Sequence, residues 1–296
     1  MHVAIAGGSG FLGRALTDAL RQHGHAVSVL TRRPRPDVVS DMAWTPNGDV
    51  GPWVAALDGV DALVNLAGEG IADQRWTPAR KAALLHSRLT ATGSLAKAVA
   101  ALPHPPRVFA SASGVGYYGP CGDERVAESA PAGTDFLGTM AAQWEAATAP
   151  AAGHTRVVLL RTGLVMGREG ALAKMRLPFS LGVGGRLGSG RQWMPWIGVE
   201  DWVGLTLHLL TDDRAHGPFN LSAPEPVTNA EFTRVLGRVL GRPTPFPVPA
   251  AALRLVLGEL ASALLTGQRA VPEKALALGY SFRHPDLPGA LRAALD

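Results

Sequence analysis

Cysteine is nearly absent from this chain: Cys121 is the only one in 296 residues. That excludes an internal disulfide and a cysteine-built metal cluster, and it makes the cytosol the expected compartment, with no metal site expected. Tyrosine is scarce as well, with three in all, Tyr117, Tyr118 and Tyr280. Long apolar runs are missing. The stretch 250–265 comes nearest to one, but Arg254 and Glu259 interrupt it, so no membrane partner is expected. The first apolar strand opens at residue 3, leaving no charged leader segment, so no cleaved targeting peptide is expected. Charge of one sign is not concentrated either. The 28 Lys and Arg face 24 Asp and Glu, and the only basic cluster is Arg32, Arg33 and Arg35. Without zinc-ligand spacing or a stripe of basic and aromatic residues, nucleic acid is not an expected partner.

Apolar residues, by contrast, make up 47% of the chain and charged residues 18%. That composition supports one large α/β domain, alone or with a small appendage. The amino end is the most informative stretch. A short apolar run through Ala6 is followed by Gly7, Gly10 and Gly13, and then by Leu12, Leu16 and Leu20 at helical spacing. Strand, glycine turn and helix in that order place a diphosphate on the backbone N–H groups of a helix N-terminus. Glycine is needed there because side chains would block the close approach. A second strand, 26–30, ends in Thr31, Arg32 and Arg33. A nicotinamide dinucleotide without a 2′-phosphate usually meets an acid about 20 residues past the glycines. Two guanidinium groups suit a 2′-phosphate instead, which predicts NADP(H) rather than NAD(H).

Strands are predicted at 61–68, 107–111, 156–161 and 218–221, with helices at 78–101, 203–210 and 229–240. The last of these would be capped by Thr228 or Asn229. Near-continuous apolar strands alternating with helices predict a doubly wound parallel sheet with a smaller C-terminal lobe. Residues 1–165 are expected to form the dinucleotide-binding domain, its sheet completed by later segments. Residues 166–296 would supply mainly a substrate lobe, and 166–202 reads as irregular. Gly68, Ser111, Ser113 and Gly163 fall just past strand ends, where ligands of such sheets sit.

These residues carry a family resemblance. The Gly7–Gly13 turn, Asn65–Gly68, Ser111–Gly119 and Arg161–Gly167 resemble the extended short-chain dehydrogenase/reductase superfamily. More narrowly, Gly116–Gly119, Asp135–Leu137, Gly188–Ile197, Phe219–Pro224, Gly267–Arg269 and Pro285–Leu287 resemble its NAD(P)-dependent epimerase/dehydratase-like branch of the 39U type, including a small C-terminal region at about 247–296. The resemblance implies a Rossmann fold. It implies cofactor contacts from Gly7, Ser9, Gly10, Phe11, Leu12 and Gly13, with Arg32 and Arg33 at the 2′-phosphate. It also implies Leu66, Ala67, Gly68 and Glu69 along the adenosine and ribose path, Arg88 facing the cofactor, Ser111 at the nicotinamide end and Leu164 near the carboxamide.

The same resemblance exposes a departure. Superfamily enzymes handle the proton with Tyr-x-x-x-Lys, but here those slots hold Phe136 and Met140, neither of which transfers a proton. Ser113 aligns with the serine that holds the substrate oxygen. Tyr118, and after it Tyr117, are the substitute acids; His86 and Glu69 are further candidates. The chain thus reads as an oxidoreductase or epimerase-like enzyme with a nonstandard proton donor, acting on a small molecule as a monomer or homodimer. The alternative is a catalytically silent NADPH-binding sensor or interaction protein. Arg191, Gln192, Trp193 and Trp196 form a mixed cluster that suits a ligand with a polar part and a flat part. The two tryptophans serve equally well as wedges between lobes.

Overall fold

Strands that are apolar on both faces must be covered on both faces, and that requirement organises the molecule. The computed structural model describes residues 1–35, 38 and 40–296. Its first half runs β1 (His2–Ala6), α1 (Phe11–Gln22), β2 (Ala26–Thr31), β3 (Asp41–Ala43), β4 (Ala62–Asn65), α2 (Pro78–Ala101), β5 (Val108–Gly114), β6 (Arg125–Val126), α3 (Phe136–Ala146) and β7 (Arg156–Thr162). The second half runs β8 (Leu164–Met166), α4 (Gly170–Ser180), β9 (Trp193–Met194), β10 (Trp196–Gly198), α5 (Val199–Thr211), β11 (Gly217–Leu221), β12 (Val227–Thr228), α6 (Asn229–Val239), α7 (Ala250–Leu257), α8 (Leu260–Leu265), β13 (Arg269–Ala270), α9 (Glu273–Ala277) and α10 (Leu287–Leu295).

Seven strands form one parallel sheet in the order β11-β7-β5-β4-β1-β2-β3. Alternation along β1 sends Val3 and Ile5 to one core with Leu16 and Leu20 of α1 and Trp202 and Leu205 of α5. Ala4 and Ala6 point to the other, with Leu95 and Val99 of α2 and Phe109 of β5. The strand order reverses between β1 and β4, so a crevice opens where α1 begins. The sheet draws β11 from the second stretch of the chain, and α1 packs on α5. β13 pairs with β6, tying the C-terminal region back to the first half. No described helix is long and apolar enough to cross a membrane.

Of two local expectations, the first is met and the second changes. Thr228 caps α6 by accepting from the Glu231 N–H, while Asn229 instead takes the Leu187 N–H at 2.7 Å. The 166–202 stretch, expected to be irregular, contains α4. That helix starts on a glycine with no side-chain cap and carries Pro178 inside it, so the usual sequence signals of a helix are missing.

Backbone contact fixes where α1 starts. A Cβ on Gly13 would land on the Gly7 carbonyl oxygen and within 2.6 Å of Gly8 Cα. Gly7 has φ +81, and a Cβ there would sit 2.7 Å from the Leu66 carbonyl carbon. In α2, Gly93 has nothing within 4 Å of its Cβ position. The same substitution therefore has opposite signs at these two helical glycines. Gly13→Ala is expected to cost about 1–3 kcal/mol through overpacking, and Gly93→Ala to stabilise by about 0.5–1 kcal/mol. Urea denaturation of the two variants measures both.

Candidate functional site

The glycine turn opens one end of a cavity of about 1000 Å³. Gly7, Ser9 and Gly10 line it beside the start of α1, Arg32 and Arg33 at the end of β2, and Leu66, Ala67, Gly68 and Glu69 after β4. No side chain caps α1, whereas Thr77 caps α2 and Asp135 caps α3. The uncapped donors and positive dipole end of α1 thus face the cavity, which is the electrostatic setting an anion requires. Neither Arg32 nor Arg33 pairs through its side chain with a described residue, whereas Arg35 is held by Asp41 at 2.8 Å. Glu69, the one acid on the wall among the described residues, is ion-paired with Arg80. These features fit a 2′-phosphorylated dinucleotide.

Five of the expected contacts stand behind that wall, among them Arg88, whose buried guanidinium donates to the Leu84 and Glu69 carbonyls. Phe11 packs where Gly167 and Gly170 leave room for its ring. Leu12 packs on the core beneath α1, and Gly13 makes the backbone contact described above. Ser111 is buried under the cleft, where the Asn65 amide donates to its hydroxyl at 3.2 Å. Asn65 also donates to Thr92 and accepts from the Ala67 N–H, which sets the shape of the turn that follows β4. Sequence reasoning missed Trp44, a buried indole on the wall beyond β3, braced edge-on by Trp53 at 5.6 Å. It follows a three-residue strand, and no motif marks it. His86, Ser87, Thr90 and Ala91 of α2 complete the cavity.

The residues nominated for acid–base work lie in a buried polar network. The Ser113 hydroxyl donates to Glu145 Oε1 at 2.6 Å. Glu145 in turn accepts two bonds from the Arg161 guanidinium, both at 2.8 Å. Arg161 also donates to the Tyr118 hydroxyl at 3.0 Å, and that hydroxyl donates to Asn220 Oδ1 at 2.7 Å. Burial pushes the Tyr118 phenol up to about 12, against the pull of Arg161. Glu128 closes the network on the Asn220 N–H, with its carboxyl pushed up by burial. Both hydroxyl contacts of Tyr118 are thus internal to the network, and burial makes its phenol hold the proton more firmly. Ser113 is likewise engaged by a carboxylate. Tyr117 differs: it lies under the Arg161 guanidinium at 3.5 Å, and its hydroxyl has no hydrogen bond among the described residues.

The Tyr and Lys slots are filled with hydrocarbon and sulfur. Phe136 meets Trp76 edge-on at 5.1 Å, and Met140 is buried with Leu84 and Leu260. Beyond the ends of β5 and β7 lies a second chamber of about 290 Å³. Val115, Leu137, Leu164, Met175 and Met194 make it mainly apolar, and Asp135, Gln192 and Gln268 add polar atoms. Leu164 therefore lines the chamber rather than the larger cavity. Gln192 donates to Leu187 and Leu264 carbonyls while its own oxygen is buried without a partner. Trp193 lines the chamber under Arg269 at 4.3 Å, with its N–H on Asp123. Arg191 is exposed outside it. Trp196 is fully buried with its N–H on the Glu225 carbonyl, the wedge of the two roles that the sequence left open for it.

Comparison with known proteins agrees with this architecture. Residues 3–222 match the NAD dependent epimerase/dehydratase family, and residues 248–294 match a domain of unknown function, DUF1731. The chain is 42% identical over its whole length to the epimerase family protein SDR39U1 of Bos taurus, covering all of that protein. It is 46% identical to the epimerase family protein Mb2239 of Mycobacterium bovis, over 98% of this chain and 96% of the other. Among solved structures, human SDR39U1 crystallised with NADPH superposes with a TM-score of 0.92 at 40% identity, over 99% of both chains.

Two outcomes follow from the buried network. Glu145→Gln leaves the Arg161 guanidinium buried without its counter-charge, and chemical denaturation is expected to show a loss of about 3–5 kcal/mol. In an ultraviolet difference titration the Tyr118 phenol should stay protonated until near pH 12. An unfolded tyrosine ionises at about 10, so its contribution is complete below that value and is lost as pH rises through the folded one. Tyr118→Phe should therefore flatten the fall in stability over that window.

Proposed function

The chain belongs to the NAD dependent epimerase/dehydratase family, and on that premise we propose that it binds NADP(H) in the larger cavity and transforms a small, largely apolar substrate in the adjoining chamber. The observation that carries this reading is the pairing of an uncapped α1 N-terminus with Arg32 and Arg33 on one wall, with Glu69 neutralised opposite. Gly7 and Gly10 leave the space a diphosphate needs. Arg32 and Arg33 supply the forks that match a 2′-phosphate. Trp44 offers an apolar wall for the base.

The bound nicotinamide supplies or accepts a hydride. The chain's own contribution begins with placement: Leu164 and Val115 line the chamber just past the ends of β7 and β5. Phe136, Met140 and Trp76 exclude water from the side that would otherwise hold the acid–base pair. The proton falls to Tyr117, the candidate whose hydroxyl is not taken up by the buried network. Gln192, with its buried unpartnered oxygen, accepts a hydrogen bond from a donor on the substrate. A polar-headed nucleotide sugar fits the small apolar chamber poorly.

A second reading rests on one specific observation, the closure of both catalytic slots by Phe136 and Met140. In it the protein binds NADPH and turns nothing over. One experiment separates the two. Calorimetry should give NADPH at least about tenfold tighter binding than NADH, with Arg32→Ala and Arg33→Ala eroding that preference by about tenfold or more. Incubating the loaded protein with a carbonyl library should oxidise NADPH, and Tyr117→Phe should slow it by at least about tenfold. Tight binding without oxidation by any carbonyl favours the silent reading, and a preference for NADH removes both.

A further inference from the structure

The side-chain donors of the smaller chamber are already engaged. Both amide hydrogens of Gln192 go to carbonyls, on Leu187 at 3.1 Å and on Leu264 at 2.9 Å. The Gln268 amide donates to the Val115 carbonyl at 2.7 Å, and the Asn229 amide to the Met194 sulfur at 3.3 Å. The Trp193 N–H is on Asp123 at 2.7 Å, and the Thr266 hydroxyl is on the Ser262 carbonyl at 2.8 Å. No Lys, Arg or His lines the chamber among the described residues. Arg269 stacks over the Trp193 ring without joining the lining.

The acceptors, in contrast, are left over. Gln192 Oε1 is buried with no partner, which is costly unless a donor arrives to complete it. Asp135 lines the chamber from an exposed position, so its carboxylate stands at the mouth. One of its oxygens caps α3 by accepting from the Gly138 N–H at 3.0 Å. The other has no hydrogen bond, and the carboxylate no ion pair, among the described residues. Hydride transfer to a carbonyl puts negative charge on its oxygen, and that charge needs donors aimed at it. Here it would meet acceptors and a carboxylate. A group that carries both an N–H and a positive charge meets the opposite: charge-assisted hydrogen bonds and a neighbour that favours its protonated form.

We propose that the substrate of this chamber is a small cyclic imine, reduced by NADPH in its protonated, iminium form. This rests on the reading above, that bound NADP(H) meets a substrate in the chamber, and goes beyond it by naming the substrate class. The iminium carbon takes the hydride with its electron pair and forms a C–H bond. The C=N π pair withdraws onto nitrogen, and the products are the neutral amine and NADP⁺. No proton moves in that step, because the substrate brings its own. A phenyl ring and a thioether can therefore occupy the Tyr and Lys slots at Phe136 and Met140, and Tyr117 is required only where the acceptor is a carbonyl. The Asp135 carboxylate keeps the substrate protonated, Gln192 Oε1 takes its N–H, and Val115, Leu137 and Leu164 face its hydrocarbon.

The test follows NADPH oxidation by wild type and Asp135→Asn with two probes: methylpyrroline, a cyclic imine protonated near neutral pH, and cyclopentanone, a ketone of the same ring size. Asparagine keeps the cap on α3 and removes the charge. Wild type is expected to turn over the imine at least about tenfold faster than the ketone, and Asp135→Asn to lower that ratio by about tenfold. A smaller ratio in the wild type overturns the proposal and leaves the enzymatic reading above standing. A ratio in Asp135→Asn within about twofold of wild type overturns it as well, because it marks a purely structural carboxylate. Oxidation by neither probe in a protein that binds NADPH overturns the proposal together with the enzymatic reading. Failure to bind NADPH defeats the cofactor reading itself and is distinguishable from all three.

Discussion

Three stretches of backbone meet where side chains cannot fit, and the rest of the molecule is arranged around that meeting. Gly7, Gly13 and the Leu66 peptide approach so closely that a Cβ on either glycine would overlap main-chain atoms. The contact seats the first turn of α1 in the crevice between β1 and β4. From it follow the direction of the helix dipole, the placement of Arg32 and Arg33 at the end of β2, and the path along Leu66–Gly68. The apolar faces of β1 reinforce it from both sides, with α1 and α5 on one and α2 on the other. The fold thereby presents an anion site made mostly of main chain, and its selectivity comes from a few side chains at the rim.

The far half of the cleft follows a different logic. Groups that would do acid–base chemistry have been drawn into structure. Glu145, Arg161, Ser113, Tyr118 and Asn220 form one chain of hydrogen bonds, which holds the ends of β5, β7 and β11 together. Such a network is stable only when every member is satisfied, which ties down Ser113 and Tyr118. The wall that would hold a tyrosine and a lysine is instead phenyl, thioether and indole. The chamber itself keeps Asp135, Gln268 and Gln192 with its buried oxygen, while Tyr117 packs beside it with Val115.

Much of this was legible in the sequence because the signals are local. Gly7, Gly10 and Gly13 after an apolar run announce the turn, and Pro78 after Thr77 announces α2, whose limits agree with the predicted 78–101. Apolar strands at 156–161 and 218–221 foretold β7 and β11. What escaped depends on distant partners. Tyr118 and Tyr117 are neighbours in a Gly-Tyr-Tyr-Gly run, and Arg161 and Asn220, the latter 102 residues away, distinguish their roles by binding the Tyr118 hydroxyl. Trp193 and Trp196 share one motif, yet one lines the chamber and the other fills the core, because β10 pairs with β8 and turns its indole inward. Trp44 has no motif at all, and α4 conceals itself behind an uncapped start and an internal proline.

The most direct measurement is a crystal structure of this protein soaked with NADPH. The account predicts diphosphate oxygens on the main-chain N–H groups at the start of α1, the 2′-phosphate on Arg32 and Arg33, and the nicotinamide lying toward Phe136 and Met140. A dinucleotide whose diphosphate sits away from the α1 N-terminus, or whose 2′-phosphate finds neither arginine, would contradict it.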